Sequence, residues 1–290
     1  MGFVVEIMSG ITIGCIYGLV ALGFSMIYRA IGLVNFAQGD IMMLGAFVGY
    51  TCLVVVPGLP FALVILVAMI VTGAFGFVIE RVAFRPAIRR DAGQIYLVLL
   101  TLGIGIVLSN AARLIWGANP VVYKIPLTHE IVRVAGYPLP SVYFYVLGFM
   151  ALLIVALNHF FTRSWTGLAL RAVAQDRDTA ALMGIDQGHA SSVAFVLASA
   201  VGAAAGVLYA PLFYVAFDMG HIGLKAFAAA VVGSLGNIPG ALLGGLVIGI
   251  AETFGAQLIA TEYQDSVAFA TMILVLLWRP NGLLGTRRLT

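Results

Sequence analysis

RSWTGLALRAVAQDRDTAALMGIDQGH, from Arg163 to His189, is the one long stretch of this chain too polar to sit among lipid tails. It holds Arg163, Arg171, Asp176, Arg177, Asp178 and Asp186, and its local signals cut it into short pieces. Asp178 suits an N-cap, its carboxylate accepting from the free amides of the following turn. Thr179 to Met183 read as about one turn of helix, and Gly184 supplies the left-handed residue that closes it. Asp186 then suits the cap of the next helix, which enters the membrane from Ser191. The stretch is either an ordinary solvated loop or a short rigid helix presented to a partner. In the second case its exposed apolar side is Ala180, Ala181, Leu182 and Met183, and Arg177 lies on a solvated face.

Outside this stretch the chain is dominated by apolar residues. Hydrophobic residues make up 62% and charged ones 9% of 290 residues, with a mean hydropathy of +1.09. Soluble domains carry about 25% charge, so the composition excludes a soluble protein and leaves an all-α polytopic membrane protein. At roughly 20 residues per span, about eight to ten membrane segments fit, some of them short or discontinuous. Residues 1–290 are therefore read as a single transmembrane domain, with the segment at about 163–190 as its polar loop. Met1 to Val5 lacks the positive flank of a signal peptide, and Glu6 stands where a myristoylation site needs Ser or Thr. Cys15 and Cys52 fall within apolar runs and are expected to be packing residues.

The placement of charge orients the spans. Arg81, Arg85, Arg89 and Arg90 share one short loop, Arg163, Arg171 and Arg177 another, and Arg279, Arg287 and Arg288 the C-terminal end. The positive-inside rule puts all three in the cytoplasm, within a bacterial-type inner membrane. The connection from Trp116 to Pro140, where Lys124 and Arg133 are more dilute, then lies outside. Its Trp116, Tyr123 and Tyr137 suit the membrane interface, and Lys124, His129, Glu130 and Arg133 offer polar contacts above it for a docking partner. Apolar runs at 7–28, 40–56, 61–79, 95–115, 142–161 and 191–214 alternate consistently with the N-terminus outside. The last third is harder, because Phe227 to Gly236 and Val267 to Trp278 are short for spans. A discontinuous helix around Gly233 to Gly240 would supply the remaining crossing. Ile31-Gly32-Leu33-x-x-Phe36-Ala37 returns as Ile222-Gly223-Leu224-x-x-Phe227-Ala228, as an inverted repeat or a coincidence of common residues would produce.

Two groups of polar residues interrupt the apolar runs. Gly32-Leu33-Val34-Asn35-Phe36-Ala37-Gln38-Gly39-Asp40 sets three polar side chains between two spans. Backbone broken at membrane depth must be buried in protein or line a cavity. Asn35, Gln38 and Asp40 are thus candidates for bordering a translocation path, while Asp40 also suits a cap for a helix starting at Ile41. Glu252, inside the run Ala241 to Ile259, is the fourth candidate; the other reading pairs it with Thr253 or a neighbouring helix. No cofactor or metal is implied. The four histidines lack metal spacing, and His129-Glu130 fails as a zinc motif because Arg133 stands where the second His belongs. Lys124 and Lys225 are followed by Ile125 and Ala226, so neither belongs to a phosphate-binding loop. An ATP-driven pump containing this chain would carry its motor on another polypeptide.

Four motifs in order resemble the LivH-type permeases of branched-chain amino-acid ABC importers. They are the nonapeptide Gly32 to Asp40 running on to Ala46, Glu80-Arg81-Val82-Ala83-Phe84-Arg85-Pro86, the run Arg171 to Ile185, and Arg279-Pro280-Asn281-Gly282-Leu283-Leu284-Gly285. Phe84 stands where that family often has Tyr. The resemblance implies a transport subunit rather than an enzyme, working by alternating access on branched-chain or other hydrophobic amino acids. It implies a second related permease, two ATPase subunits and an extracytoplasmic binding protein as partners, with membrane lipid around them and no nucleic acid. The ATPase-coupling residues would be Arg171, Gln175, Asp178, Ala180, Ala181, Leu182 and Gly184. The alternatives are a permease for urea or short amides, or a secondary transporter or channel working without ATPases.

Overall fold

A computed structural model describes residues 2–90, 92–123, 125, 131–134, 137–258 and 260–285. Backbone polar groups in a bilayer must be satisfied within the span, so apolar runs of this length become helices. The first part of the chain forms α1 (Gly2–Ile31), α2 (Gln38–Val55), α3 (Phe61–Ile79), α4 (Arg85–Arg89), α5 (Gln94–Trp116) and α6 (Ser141–Arg163). The polar stretch forms α7 (Trp165–Gln175) and α8 (Arg177–Leu182), and the last part α9 (Gln187–Tyr209), α10 (Ile222–Gly233), α11 (Ile238–Leu258) and α12 (Gln264–Trp278). A hairpin, β1 (Ile131–Val134) with β2 (Tyr137–Pro140), sits in the connection before α6. Among the described residues seven helices are long and apolar enough to cross a membrane: α1, α2, α3 with its continuation to Arg89, α5, α6, α9 and α11. The chain is a multi-pass, all-α membrane protein.

α1 and α9 are buried along most of their length, whereas α5 and α6 turn most of theirs outward. Lipid offers no hydrophobic drive for helices to associate, so close van der Waals contact has to hold them. Glycine stripes provide it where α1 crosses α11. A Cβ added at Gly14 would stand 2.8 Å from the Cα of Leu246, and Gly249 leans on Gly14 in return. Cys15 is buried and Cys52 half-buried, both as free thiols that serve packing.

The discontinuous crossing lies elsewhere than at Gly233 to Gly240. α9 stops at Tyr209, next to Pro211, and the chain returns through the irregular segment Ala210 to His221 before α10 completes the descent. Proline denies the helix a donor and clashes with the preceding turn, so the break falls there. Ser234 to Asn237 is instead a tight turn between α10 and α11, with Ser234 at φ 96°. The C-terminal motif closes this turn. Leu283 N–H donates to the Val232 carbonyl at 2.8 Å, and Asn237 Nδ2 donates to the Leu284 carbonyl at 3.0 Å. The C-terminal segment lies beside Tyr28 and Arg29 near the end of α1.

Glu80 to Phe84 is not a loop but a π-helical turn joining α3 to α4. Such turns shift the helical register locally, and this one turns Glu80 and Phe84 inward together. Glu80 accepts from Ser192 Oγ at 2.7 Å, and Phe84 packs on Phe195 with ring centres 4.7 Å apart.

Candidate functional site

The polar stretch is built from three capped helices. Ser164 Oγ accepts from Gly167 N–H at 2.9 Å and starts α7, which buries Leu170 and Val173 and exposes Trp165 and Leu168. Asp176, not Asp178, is the N-cap of α8. Its carboxylate accepts from the amides of Asp178 (3.0 Å) and Thr179 (3.1 Å) and from Thr179 Oγ1 (2.6 Å). The Thr179 hydroxyl and these amides hold the Asp176 carboxyl below the usual carboxylate range. Asp178 lies in the first turn, where a negative charge suits the helix dipole. Gly184 takes the left-handed conformation, φ 84°. Ile185 N–H reaches the Ala180 carbonyl and Gly184 N–H that of Ala181, so the last carbonyls of α8 are satisfied. Asp186 caps α9 through Gly188 N–H at 2.8 Å, and the amides of Gly188 and His189 hold its carboxyl low as well.

This geometry corrects the expected outward face. Ala180 is 4% exposed and packs into the body, while Ala181, Leu182 and Met183 stand out, the last two 86% and 79% exposed. A helix this short, lying on α9, must turn one residue in three or four inward. Arg177 is not on a solvated face either: half-buried, it donates from Nη1 to the Ile31 carbonyl at the end of α1. Arg171 and Gln175 are exposed. Gln175 and Arg177 border a concavity of ≈ 1040 Å³ together with Arg29, Asn237 and Asn281.

The polar break lies deeper. Asn35 Oδ1 accepts from Ala37 N–H at 3.2 Å, and Phe36 N–H donates to Thr101 Oγ1 at 3.2 Å. Gln38 packs against Gly23, about 9 Å along α1 from Arg29. Its Nε2 donates to the Ala198 carbonyl of α9 at 2.9 Å. Asn35 and Gln38 are fully buried, and Asn35 Nδ2 and Gln38 Oε1 find no partner among the described residues. Asp40 does not cap a helix from Ile41, because α2 already begins at Gln38. It sits half-buried between Gly105 of α5 and Gly220, where an added Cβ would stand 3.4 Å and 3.0 Å from the carboxylate carbon. The two copies of the repeated motif meet here. Gly39 abuts Gly223, with 2.8 Å from an added Cβ to the Gly223 Cα, and Phe36 and Phe227 lie 5.4 Å apart between ring centres.

Beside Asp40, α5 and the irregular segment form a face that the sequence did not mark. Ser109 Oγ donates to the Phe217 carbonyl at 2.6 Å, and the Arg113 guanidinium stands 5.3 Å from the centre of the Phe217 ring. His221 Nδ1 lies 2.6 Å from the Asp218 carbonyl. Asn110, Asp218 and His221 are exposed on this face, Asn110 within a helix long and apolar enough to cross a membrane. Such groups are costly against lipid and belong beside protein or water. The only signal for them was Asp218 and His221 immediately before the second copy of the repeat.

Glu252 is apart from that face. Lys225 Nζ contacts its Oε1 at 2.7 Å and Asp265 Oδ1 at 2.6 Å, tying α10 to α11 and α12, and Tyr17 lies beside the carboxylate. The pairing reading thus describes Glu252, with Lys225 as the partner. Of the proposed docking connection, Lys124, His129 and Glu130 lie outside the described residues, as do the side chains of Arg133 and Tyr137. Tyr123 is not interfacial but buried, its hydroxyl donating to the Ala46 carbonyl at 2.5 Å. Trp116 donates to Thr51 Oγ1 at 2.8 Å and stacks on Phe47.

Comparison with known proteins agrees with this architecture. Residues 6–276 match the family model described as branched-chain amino acid transport system, permease component. The high-affinity branched-chain amino acid transport permease BraD of Pseudomonas aeruginosa is 36% identical over 97% of this chain and 95% of its own. The corresponding LivH of Escherichia coli K12 is 34% identical over 98% and 96%. LivM of the same organism is 25% identical over 96% of this chain and 69% of its own. With nearly the whole length matched, this chain belongs to the permease-component family of branched-chain amino acid transport systems.

Proposed function

We propose that this chain is a membrane permease subunit of an ATP-binding-cassette importer that moves branched-chain or other hydrophobic amino acids across a bacterial inner membrane. Its partners are a second, related permease, two ATPase subunits that hydrolyse ATP on their own chains, and an extracytoplasmic binding protein. The observation that carries the reading is α8, a helix capped at both ends that holds Ala181, Leu182 and Met183 out from the cytoplasmic side. An apolar knob on a rigid mount suits a groove on an ATPase. A carrier working alone has no use for it. The path runs along the face of Asp40, Asn110, Asp218 and His221, with Asn35 and Gln38 forming the buried wall behind it. A zwitterion with an apolar side chain passes best where polar groups are few, since tight binding would hold it.

The test is co-purification of the ATPase subunits with the permease pair, together with uptake of labelled leucine, isoleucine and valine into vesicles. Ala181→Trp should lose the ATPases and the uptake while the permease stays in the membrane. Retention of both ATPases and full uptake by Ala181→Trp would reduce α8 to a connector and remove the main physical support for an ATP-driven pump.

A further inference from the structure

α3 and α6 both stand on the inner helices, yet a cleft separates them, floored by α9. Two hollows lie along it. One is lined by Ile65 of α3, Phe149 of α6 and Leu208 of α9. The other, ≈ 600 Å³, runs between Phe77, Phe160 and Val196. At the cytoplasmic end the lining changes to Arg81, Arg85 and His189. The π-helical turn produces this arrangement. By taking Glu80 and Phe84 inward it leaves Arg81 and Arg85 at the cleft mouth.

The charge at the mouth is net positive. Among the described residues no carboxylate lies within ion-pair distance of Arg81 or Arg85. Asp186 also lines the mouth and interacts electrostatically with Arg85, so two guanidinium groups face a single carboxylate there. The Arg85 guanidinium lies over Gly188, where an added Cβ would stand 3.0 Å from Cζ. A slot with apolar walls between two membrane-length helices, ending in two guanidinium groups that outnumber the one carboxylate beside them, matches one molecule in shape and charge. We infer that the cleft between α3 and α6 binds an anionic phospholipid of the cytoplasmic leaflet, with its phosphate on Arg81 and Arg85 and its acyl chains along Phe77, Phe160 and Val196. A transmembrane helix of a partner would meet a net positive charge at the end of its apolar track. The phospholipid meets it with its own charge, and guanidinium groups suit phosphate in both shape and hydrogen bonding.

The assembled transporter, purified in neutral detergent, is analysed for retained phospholipid by extraction and mass spectrometry. Wild type should hold phosphatidylglycerol or cardiolipin above its share of the membrane, relative to phosphatidylethanolamine. Arg81→Gln with Arg85→Gln should cut that enrichment by about fivefold for each arginine. Val196→Trp, which fills the slot, should lose it while both arginines remain. In a second measurement on wild type, added phosphatidylglycerol should raise the melting temperature of the detergent complex and phosphatidylcholine should not. That measurement reads the site even where the double variant fails to assemble. No enrichment in wild type, unchanged enrichment in the double variant, inorganic phosphate acting as well as the lipid, or a cross-link from Val196→Cys to the companion permease would each overturn the proposal.

Discussion

Asp176 and Asp178 differ by two positions, and only the first holds α8 in place. Asp176 gathers two amides and a hydroxyl, whereas Asp178 is exposed in the first turn. Asp176→Ala should fray α8 and lower ATPase retention, and Asp178→Ala should leave it unchanged; co-purified ATPase per permease reads both. The pH dependence follows from the direction of the shift. The Asp176 carboxyl titrates below its ordinary value in the folded chain. Its contribution is therefore fully present above the ordinary aspartate range of about 3.9 and is lost only as pH falls through the depressed value. Amide exchange at Thr179, corrected for intrinsic rate, should not change in protection between pH 8 and 5. At Lys225 the prediction concerns burial. Lys225→Met leaves Glu252 buried without its cation, which costs about 3–5 kcal/mol where a buried pair is broken on one side. Lys225→Met combined with Glu252→Leu should recover most of that loss in denaturant unfolding of the detergent-solubilised protein.

Elements were legible in the sequence where their cause was local and obscure where it was not. Apolar length announced the long spans, and Gly184 and Asp186 announced a closing turn and a cap, because each acts on its nearest neighbours. The cap of α8 was misplaced from Asp176 to Asp178, since in an Asp-Arg-Asp-Thr run both carboxylates are within reach of the same amides. α7 went unread because its buried residues, Leu170 and Val173, are matched by exposed apolar ones, Trp165 and Leu168, so no clean apolar stripe marks it. The C-terminal motif was recognised as a motif, but its work is non-local: it closes the α10–α11 turn from some fifty residues away. The break before α10 shows the same limit, as Pro211 marks where α9 ends without saying how far the chain runs before helix resumes. It also redirects an expectation about accessibility. Asn35 and Gln38 are sealed between α1, α2 and α9, while Asn110 and His221 are open. Cysteines at Asn110 or His221, in a chain lacking Cys15 and Cys52, should react with a water-soluble maleimide in the resting state. Gln38→Cys should stay protected until the transporter is trapped in another nucleotide state. Equal labelling at all three would place water on both sides of α2 and remove the distinction between wall and path.

For the molecule as a whole, the distribution of polarity over the outer surface decides which side meets lipid and which meets protein. α6 exposes Leu152 and Val155 to its surroundings, and among the outward positions of its middle turns there is no ionisable group. α5 exposes Leu102, Ile106 and Val107, yet the same side continues into Asn110 and, through the adjoining segment, Asp218 and His221. A bilayer tolerates the first surface without cost and the second only with a cover of protein or water. We therefore propose that the second permease packs against α5 and the N-terminal end of α10, with the path between the two subunits, leaving the α3–α6 side to lipid. Cysteine at Ile106 should form a disulfide or a short bis-maleimide bridge to a cysteine scanned along the companion permease, at a yield that changes between nucleotide-free and ATP-bound states. Cysteine at Leu152, equally exposed, should give none. A bridge from Leu152 with silence at Ile106 would reverse the two surfaces, moving the path away from Asp40 and leaving Asn110 and His221 to face lipid, which their polarity argues against.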